Sequence, residues 1–130
     1  MSAKGFEKNQ IPVAIGSVFI VVAIMFLLEN LVALQLRKTY WDPEEPRLFY
    51  YKRGDVDLDF YIPDEKMAVQ ASYDLTDETT YNREVGTLVA FNKVFKVEKA
   101  IIVTYDTEDT IVKDGLTIEV VPIWKWLIKE

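Results

Sequence analysis

The chain contains neither cysteine nor histidine. Without cysteine there is no disulfide framework and no thiolate metal site. Without histidine the commonest general base and the commonest transition-metal ligand are both missing, and triads built on either residue are excluded. Glycine is sparse too: five residues, none clustered. Neither G-x-x-x-x-G-K-[ST] nor G-x-G-x-x-G occurs, so this chain offers no P-loop and no glycine-rich cradle for a phosphate. Basic charge is also in deficit. Residues 39–130 carry 11 Lys/Arg and 19 Asp/Glu, a net charge of −8. Such a body repels phosphate backbones in general. Arg47, Lys52 and Arg53 lie close enough in sequence to form a local basic patch. What remains for chemistry is carboxylates, and any metal would be a hard ion held by oxygen, with Mg²⁺ the candidate. No organic cofactor is expected.

At 130 residues the chain has room for one domain with a core. Its charge is unevenly spread. Ile11–Leu28 (IPVAIGSVFIVVAIMFLL) has no charged residue, at the lower edge of the length that spans a bilayer. A buried helix or an oligomer-forming helix is the other reading of such a run. No small-residue cleavage site follows it; Glu29-Asn30 does. If it spans, Arg37, Lys38, Arg47, Lys52 and Arg53 outnumber Lys4 and Lys8, which puts the C-terminal body in the cytoplasm. The division expected is an apolar segment over residues 1–28 and an α/β domain over 29–130.

The helix should continue through Leu31–Leu36 to Arg37 and Lys38, and Trp41–Pro46 should be a loop. Leu48–Lys52 reads as a strand, followed by a turn at Arg53-Gly54-Asp55. Val56, Leu58, Phe60 and Ile62 alternate with Asp57, Asp59 and Tyr61, which predicts a half-buried strand with one apolar face. A third strand puts Met67, Val69, Ala71 and Tyr73 on one face and Ala68, Gln70, Ser72 and Asp74 on the other. Thr76 suits a helix N-cap, and Tyr81, Val85, Leu88 and Val89 supply that helix's apolar stripe. Ala100–Val103 reads as a strand covered on both sides, and Asp114-Gly115 as a tight hairpin. Pro122 fits the first turn of a final helix carrying Trp124, Trp126 and Leu127.

Strand alternation puts Asp57 and Asp59 on one face. A matched hairpin brings Gln70 and Ser72 to the same face, and Glu29 lies within reach from the first helix. Asp59, Glu29 and Asp57 are then the candidate Mg²⁺ ligands. The same pattern also describes the solvated face of an ordinary antiparallel hairpin.

Leu28-Glu29-Asn30, Asp57–Phe60 (DLDF), Val69–Leu75 (VQASYDL), Arg83-Glu84-Val85 and Val121–Leu127 (VPIWKWL) occur in an order and spacing that resembles a known domain. It is the C-terminal domain of a large group of prokaryotic AAA-type ATPases, domain of unknown function family 4143. The similarity covers roughly Leu28–Lys129. It implies a restriction-endonuclease-like PD-(D/E)xK core, a mixed sheet flanked by helices, with the order α-β-β-β-α-β. Carried over by position, Asp59 matches the metal-binding Asp, Gln70 the metal-binding Glu, Ser72 the catalytic Lys and Glu29 the helix acid. A neutral Gln70 weakens hard-cation binding, and Ser72 has no cationic head to orient water. The resemblance thus implies a catalytically degenerate domain that works by binding a protein partner or a separately encoded ATPase module. The family's ATPase module is replaced here by the apolar segment, as in a truncated or frame-shifted remnant or in a stand-alone protein with an anchor. Trp124 and Trp126 are expected to close the core rather than to form an interfacial belt.

Overall fold

The computed structural model describes residues 13–128. Lys4, Lys8 and the first two residues of the apolar run lie outside them. The chain opens with helix α1 (Val13–Tyr40), then strands β1 (Phe49–Arg53) and β2 (Val56–Ile62). A 3₁₀ turn over Pro63–Glu65 leads to β3 (Met67–Ala71). Helix α2 (Glu78–Phe95) crosses to β4 (Lys99–Thr104). Strands β5 (Asp109–Lys113) and β6 (Leu116–Pro122) and helix α3 (Ile123–Ile128) complete the fold. The expected order of helix, three strands, helix, strand, hairpin and short helix is the one found.

The six strands form one sheet in the order β1-β2-β3-β4-β6-β5. β3, β4 and β6 are mutually parallel in the middle; the outer pairings are antiparallel. A parallel step needs a crossover, and α2 supplies it between β3 and β4. The molecule is therefore α/β, with a mixed sheet between helices. On one face α2 packs Val85, Leu88, Val89 and Phe91 onto Leu58, Ala68, Ala100, Ile102, Ile118 and Val120. On the other, α1 lays Leu28, Val32 and Leu36 onto Ile62, Met67, Val69 and Val103, and Ile123 and Trp126 of α3 pack alongside. β4 contributes to both cores, as its continuous apolar run requires.

α1 is unbroken across Leu28-Glu29, so the boundary expected there falls inside one helix. Leu28 itself is 3% exposed. Spacings of four place Leu28, Val32 and Leu36 on one stripe. The helix of 28 residues is about 42 Å long. Its earlier turns leave Val18, Phe19, Ile20, Val22, Phe26 and Leu27 uncovered.

Local chemistry sets the ends. Asp77, not Thr76, caps α2: its carboxylate accepts the Thr80 N–H at 2.9 Å. Thr76 instead turns its hydroxyl to Asp74 Oδ1, which competes for the same side chain. Asp114 (φ 49°) and Gly115 (φ 79°) both lie in the left-handed region, the two-residue turn that matches strand twist. Pro122 ends β6 rather than opening α3, which begins one residue later than expected, at Ile123.

Candidate functional site where β2 and β3 part

The single apolar face expected of β2 does not survive. β1 and β2 slip register between Phe49↔Tyr61 and Tyr51↔Leu58. As a result Val56, Leu58 and Tyr61 pack toward α2, whereas Phe60 and Ile62 pack toward α1. A bulge re-aims side chains in this way. Simple alternation fails because the period of two is broken between Leu58 and Tyr61.

The β2–β3 ladder runs from Ile62↔Met67 to Phe60↔Val69 and stops there. Beyond it, side chains take over from backbone. The Asp59 N–H donates to Gln70 Oε1 at 2.7 Å, and the Ala71 N–H donates to Asp59 Oδ2 at 2.9 Å. Gln70 Nε2 donates to the Asp57 carbonyl at 3.3 Å. The carboxamide thus bonds on either side of Leu58 as a neighbouring peptide group would. The same nitrogen donates to Glu84 Oε2 of α2 at 3.0 Å. Glu84 Oε1 receives the Arg83 Nε–H at 2.9 Å. Gln70 is 2% exposed and Glu84 6%. Unpaired, such groups would be costly; here every polar atom of Gln70 is used.

Electrostatics follow from this burial. Loss of water pushes the Asp59 carboxyl up to about 7, against the opposing hydrogen bond from Ala71, with Glu84, Glu29 and Asp57 adding repulsion. Burial likewise raises Glu84, offset by Arg83 and by the Gln70 amide.

The structure brings Asp59 and Gln70 together and adds Glu84, which the sequence reading did not single out as a site residue. Its signal was present: Glu84 stands in the stripe Tyr81-Glu84-Leu88-Phe91, an acid where an apolar residue is expected. Asp57 lends its carbonyl but sends its carboxylate to Lys52 at 3.3 Å. Glu29 is exposed on α1, close enough to raise the Asp59 pKa. Ser72 is buried, and its hydroxyl donates to the Asp74 carbonyl at 3.0 Å. Among the described residues no three acids converge in an arrangement that could hold a metal ion. The Asp59 carboxyl, raised to about 7, suits proton transfer near neutrality, and its hydrogen-bond partners are Gln70 and the Ala71 N–H.

Two other expectations resolve here. Arg47 pairs with Asp64 at 2.9 Å and Lys52 with Asp57, so two of the three patch cations are bound to acids. Trp126 packs on the α1-side core as expected, whereas Trp124 is 58% exposed and closes nothing. A groove of about 720 Å³ lies elsewhere, at the C-terminal end of α1, lined by Tyr40, Met67, Lys99, Ile101, Val121 and Trp126. None of the Asp59–Gln70 group lines it, so it is not the same site.

No known family profile matches the chain. No solved structure matches it either. It is similar to the uncharacterized protein MJ1544 of Methanocaldococcus jannaschii, at 37% identity over 107 residues. That stretch is 77% of this chain and 24% of the relative, so the chain spans about a quarter of the length of the curated relative it matches.

Proposed function

We propose that this domain is a nuclease-like fold, akin to the C-terminal domain of AAA-type ATPases, that has lost cleavage chemistry and serves as an interaction module for a protein partner. The observation that carries the reading is the use of Gln70. At the position where an active relative of that fold would hold a metal-binding acid, the side chain donates to one carboxylate and ties two strands together. A group whose donor nitrogen faces Glu84 presents no lone pair to a cation there. Ser72 at the catalytic lysine position supplies a turn, not a charge. Support for the ancestry comes from the order α1-β1-β2-β3-α2-β4, with β3 and β4 parallel across the helix. Incubation of the chain with Mg²⁺ or Mn²⁺ and single- and double-stranded DNA is expected to leave the DNA intact. Divalent-dependent cleavage that disappears in Asp59→Ala would overturn the proposal.

A second reading is supported by a different observation. The early turns of α1 expose large apolar side chains on all sides, including Phe19 at 70% and Phe26 at 69%. Ser17–Tyr40 is long and apolar enough to cross a membrane. On this reading the chain is a single-span protein whose cytoplasmic domain docks a partner, with an ATPase module as the candidate. After carbonate washing the protein should stay with the membrane pellet; recovery in the supernatant removes the anchor.

A further inference from the structure

We propose that β5 is a pairing edge, on which a second copy of this chain lays its own β5 antiparallel and joins the two sheets into one. The sheet ends on β5, which has β6 on one side and no strand on the other. Its sequence is Asp109-Thr110-Ile111-Val112-Lys113. Centred on Ile111 and set against itself in the opposite direction, this strand puts Asp109 opposite Lys113, Thr110 opposite Val112 and Ile111 opposite its own copy. The charge match therefore occurs at both ends. A two-fold axis perpendicular to the sheet generates it, so the interface closes on itself. Among the described residues neither Asp109 nor Lys113 has an ion-pair partner within the chain.

The backbone selects the same register. The tight turn at Asp114-Gly115 makes Lys113 and Leu116 the closing, hydrogen-bonded pair of the β5–β6 hairpin. Antiparallel pairs then alternate between bonded and non-bonded. Lys113, Ile111 and Asp109 spend their backbone groups on β6, and Thr110 and Val112 turn theirs outward. The Thr110 N–H accordingly donates to its neighbour's side chain, Asp109 Oδ1, at 2.8 Å rather than to a strand. In the proposed register Thr110 and Val112 of opposite copies exchange both bonds, and every outward group of the strand is paired. Asp109 and Lys113 fall on a non-bonded pair, where side chains come closest. Sliding the copies to the next register of the same parity sets Ile111 against Asp109 or against Lys113 and breaks both charge pairs. The exposed Val112 gains Thr110 of the other copy as its neighbour. A lysine on an edge strand usually guards against such pairing; here the acid at the other end of the strand turns the guard into a match. The ladder stops beyond these residues, because Asp114 has already turned away at φ 49° and Glu108 is held by Lys125. The opposite edge lacks this complementarity: β1 carries Lys52 and Arg53 and no acid, so two copies of it repel.

The test is a charge swap on the full chain in mild detergent, followed by sedimentation velocity at rising concentration. A ladder of five residues makes a small interface, so the native mass should climb from one chain toward two as concentration rises. Asp109→Lys and Lys113→Asp each set like charges opposite one another at both ends, and each should stay monomeric. Mixed in equal amounts they should form a heterodimer, because each supplies the charge that the other lacks. Val112→Pro removes an outward N–H and no β5–β6 bond, which an edge strand tolerates, and it too should stay monomeric. The three sites are exposed, so the variants should melt as the native domain does. A native chain of monomer mass at the highest concentration reached, or any single variant that dimerises as the native chain does, overturns the pairing. Monomeric charge variants whose mixture also stays monomeric overturn the register.

Discussion

Replacing Gln70 by Glu tests the reading of the β2–β3 junction directly, because on the proposed nuclease-like reading it puts back the acid an active site would carry. The shape is kept and only the donor is lost. Gln70 gives its amide hydrogens to Glu84 Oε2 at 3.0 Å and to the Asp57 carbonyl at 3.3 Å. A glutamate keeps the acceptor for the Asp59 N–H but leaves both of those acceptors without a donor. A buried group stripped of its partner costs about 1–3 kcal/mol. The new carboxyl can recover one bond by holding a proton and donating it to Glu84. At pH 5 the expected loss is therefore one bond, about 1–3 kcal/mol. As pH rises the trapped proton becomes more expensive, by about 1.4 kcal/mol per pH unit. Otherwise two ionised carboxylates share a site from which water is excluded, and one of them is driven back to the neutral form.

By pH 8 the variant should be destabilised by about 4 kcal/mol or more. For a domain near 100 residues each kcal/mol moves the melting temperature by about 4–8 °C. The difference is thus large enough to read by circular dichroism with tryptophan fluorescence alongside. Variant and native chain are melted at pH 5, 6, 7 and 8, and the gap is followed as pH rises. A gap that is absent at pH 8, or that does not widen with pH, would refute the assignment of Gln70 as a buried donor to Glu84. Adding Mg²⁺ sharpens the comparison. If the junction descends from a metal site, the cation should recover part of the loss in Gln70→Glu and leave the native chain unchanged.

The native domain should itself lose stability as pH rises from about 4 to about 7. Over that window the folded Asp59 holds a proton that the unfolded chain releases, a difference of at most about 4 kcal/mol, and above it the curve should level; Asp59→Asn, read by urea unfolding at several pH values, should flatten the slope. Val32 is fully buried between α1 and the sheet, so Val32→Asp should cost about 3 kcal/mol or more and unfold the domain rather than merely release an anchor; an unchanged melting curve would mean that α1 is not part of the core. Phe91 stacks on Phe95 and meets Tyr51 and Tyr61 edge-on, with centroids 4.7–5.2 Å apart, and Phe91→Ala should cost about 3–5 kcal/mol in the same assay. Asp77→Ala removes the cap of α2 and should cost about 1 kcal/mol, whereas Thr76→Ala should cost less; the reverse ranking would return the cap to Thr76.

The element order was legible because each element announces itself locally. Tyr81, Val85 and Leu88 repeat at helical spacing, Ala100–Val103 is apolar throughout, and Asp114-Gly115 signals a two-residue turn. The pairing of Asp59 with Gln70 was legible too, from alternation and the matched hairpin. The facing of β2 was not. A bulge adds one residue to one strand, and no residue between Leu58 and Tyr61 marks it as glycine or proline would. The fates of Asp57 and Glu84 were lost with it, since both depend on which way the strand turns after the slip. Thr76 and Asp77 are adjacent capping residues of similar quality, and only Asp74 decides between them by occupying the threonine hydroxyl.

These failures bear on the site. An acid is costly to bury, and a nuclease-type centre offsets that cost with a metal ion. Here the offset comes from the protein. Gln70 donates to Glu84, Arg83 covers the other oxygen, and Ala71 gives its N–H to Asp59. Each of these groups finds its partner within the protein, and burial raises the Asp59 carboxyl toward neutrality. The same bonds carry on the β2–β3 connection where its backbone ladder stops. On the proposed reading, loss of chemistry and retention of the fold rest on one side chain. The side chains the fold can least spare therefore lie at this junction and in α1, where Leu28, Val32 and Leu36 hold the sheet.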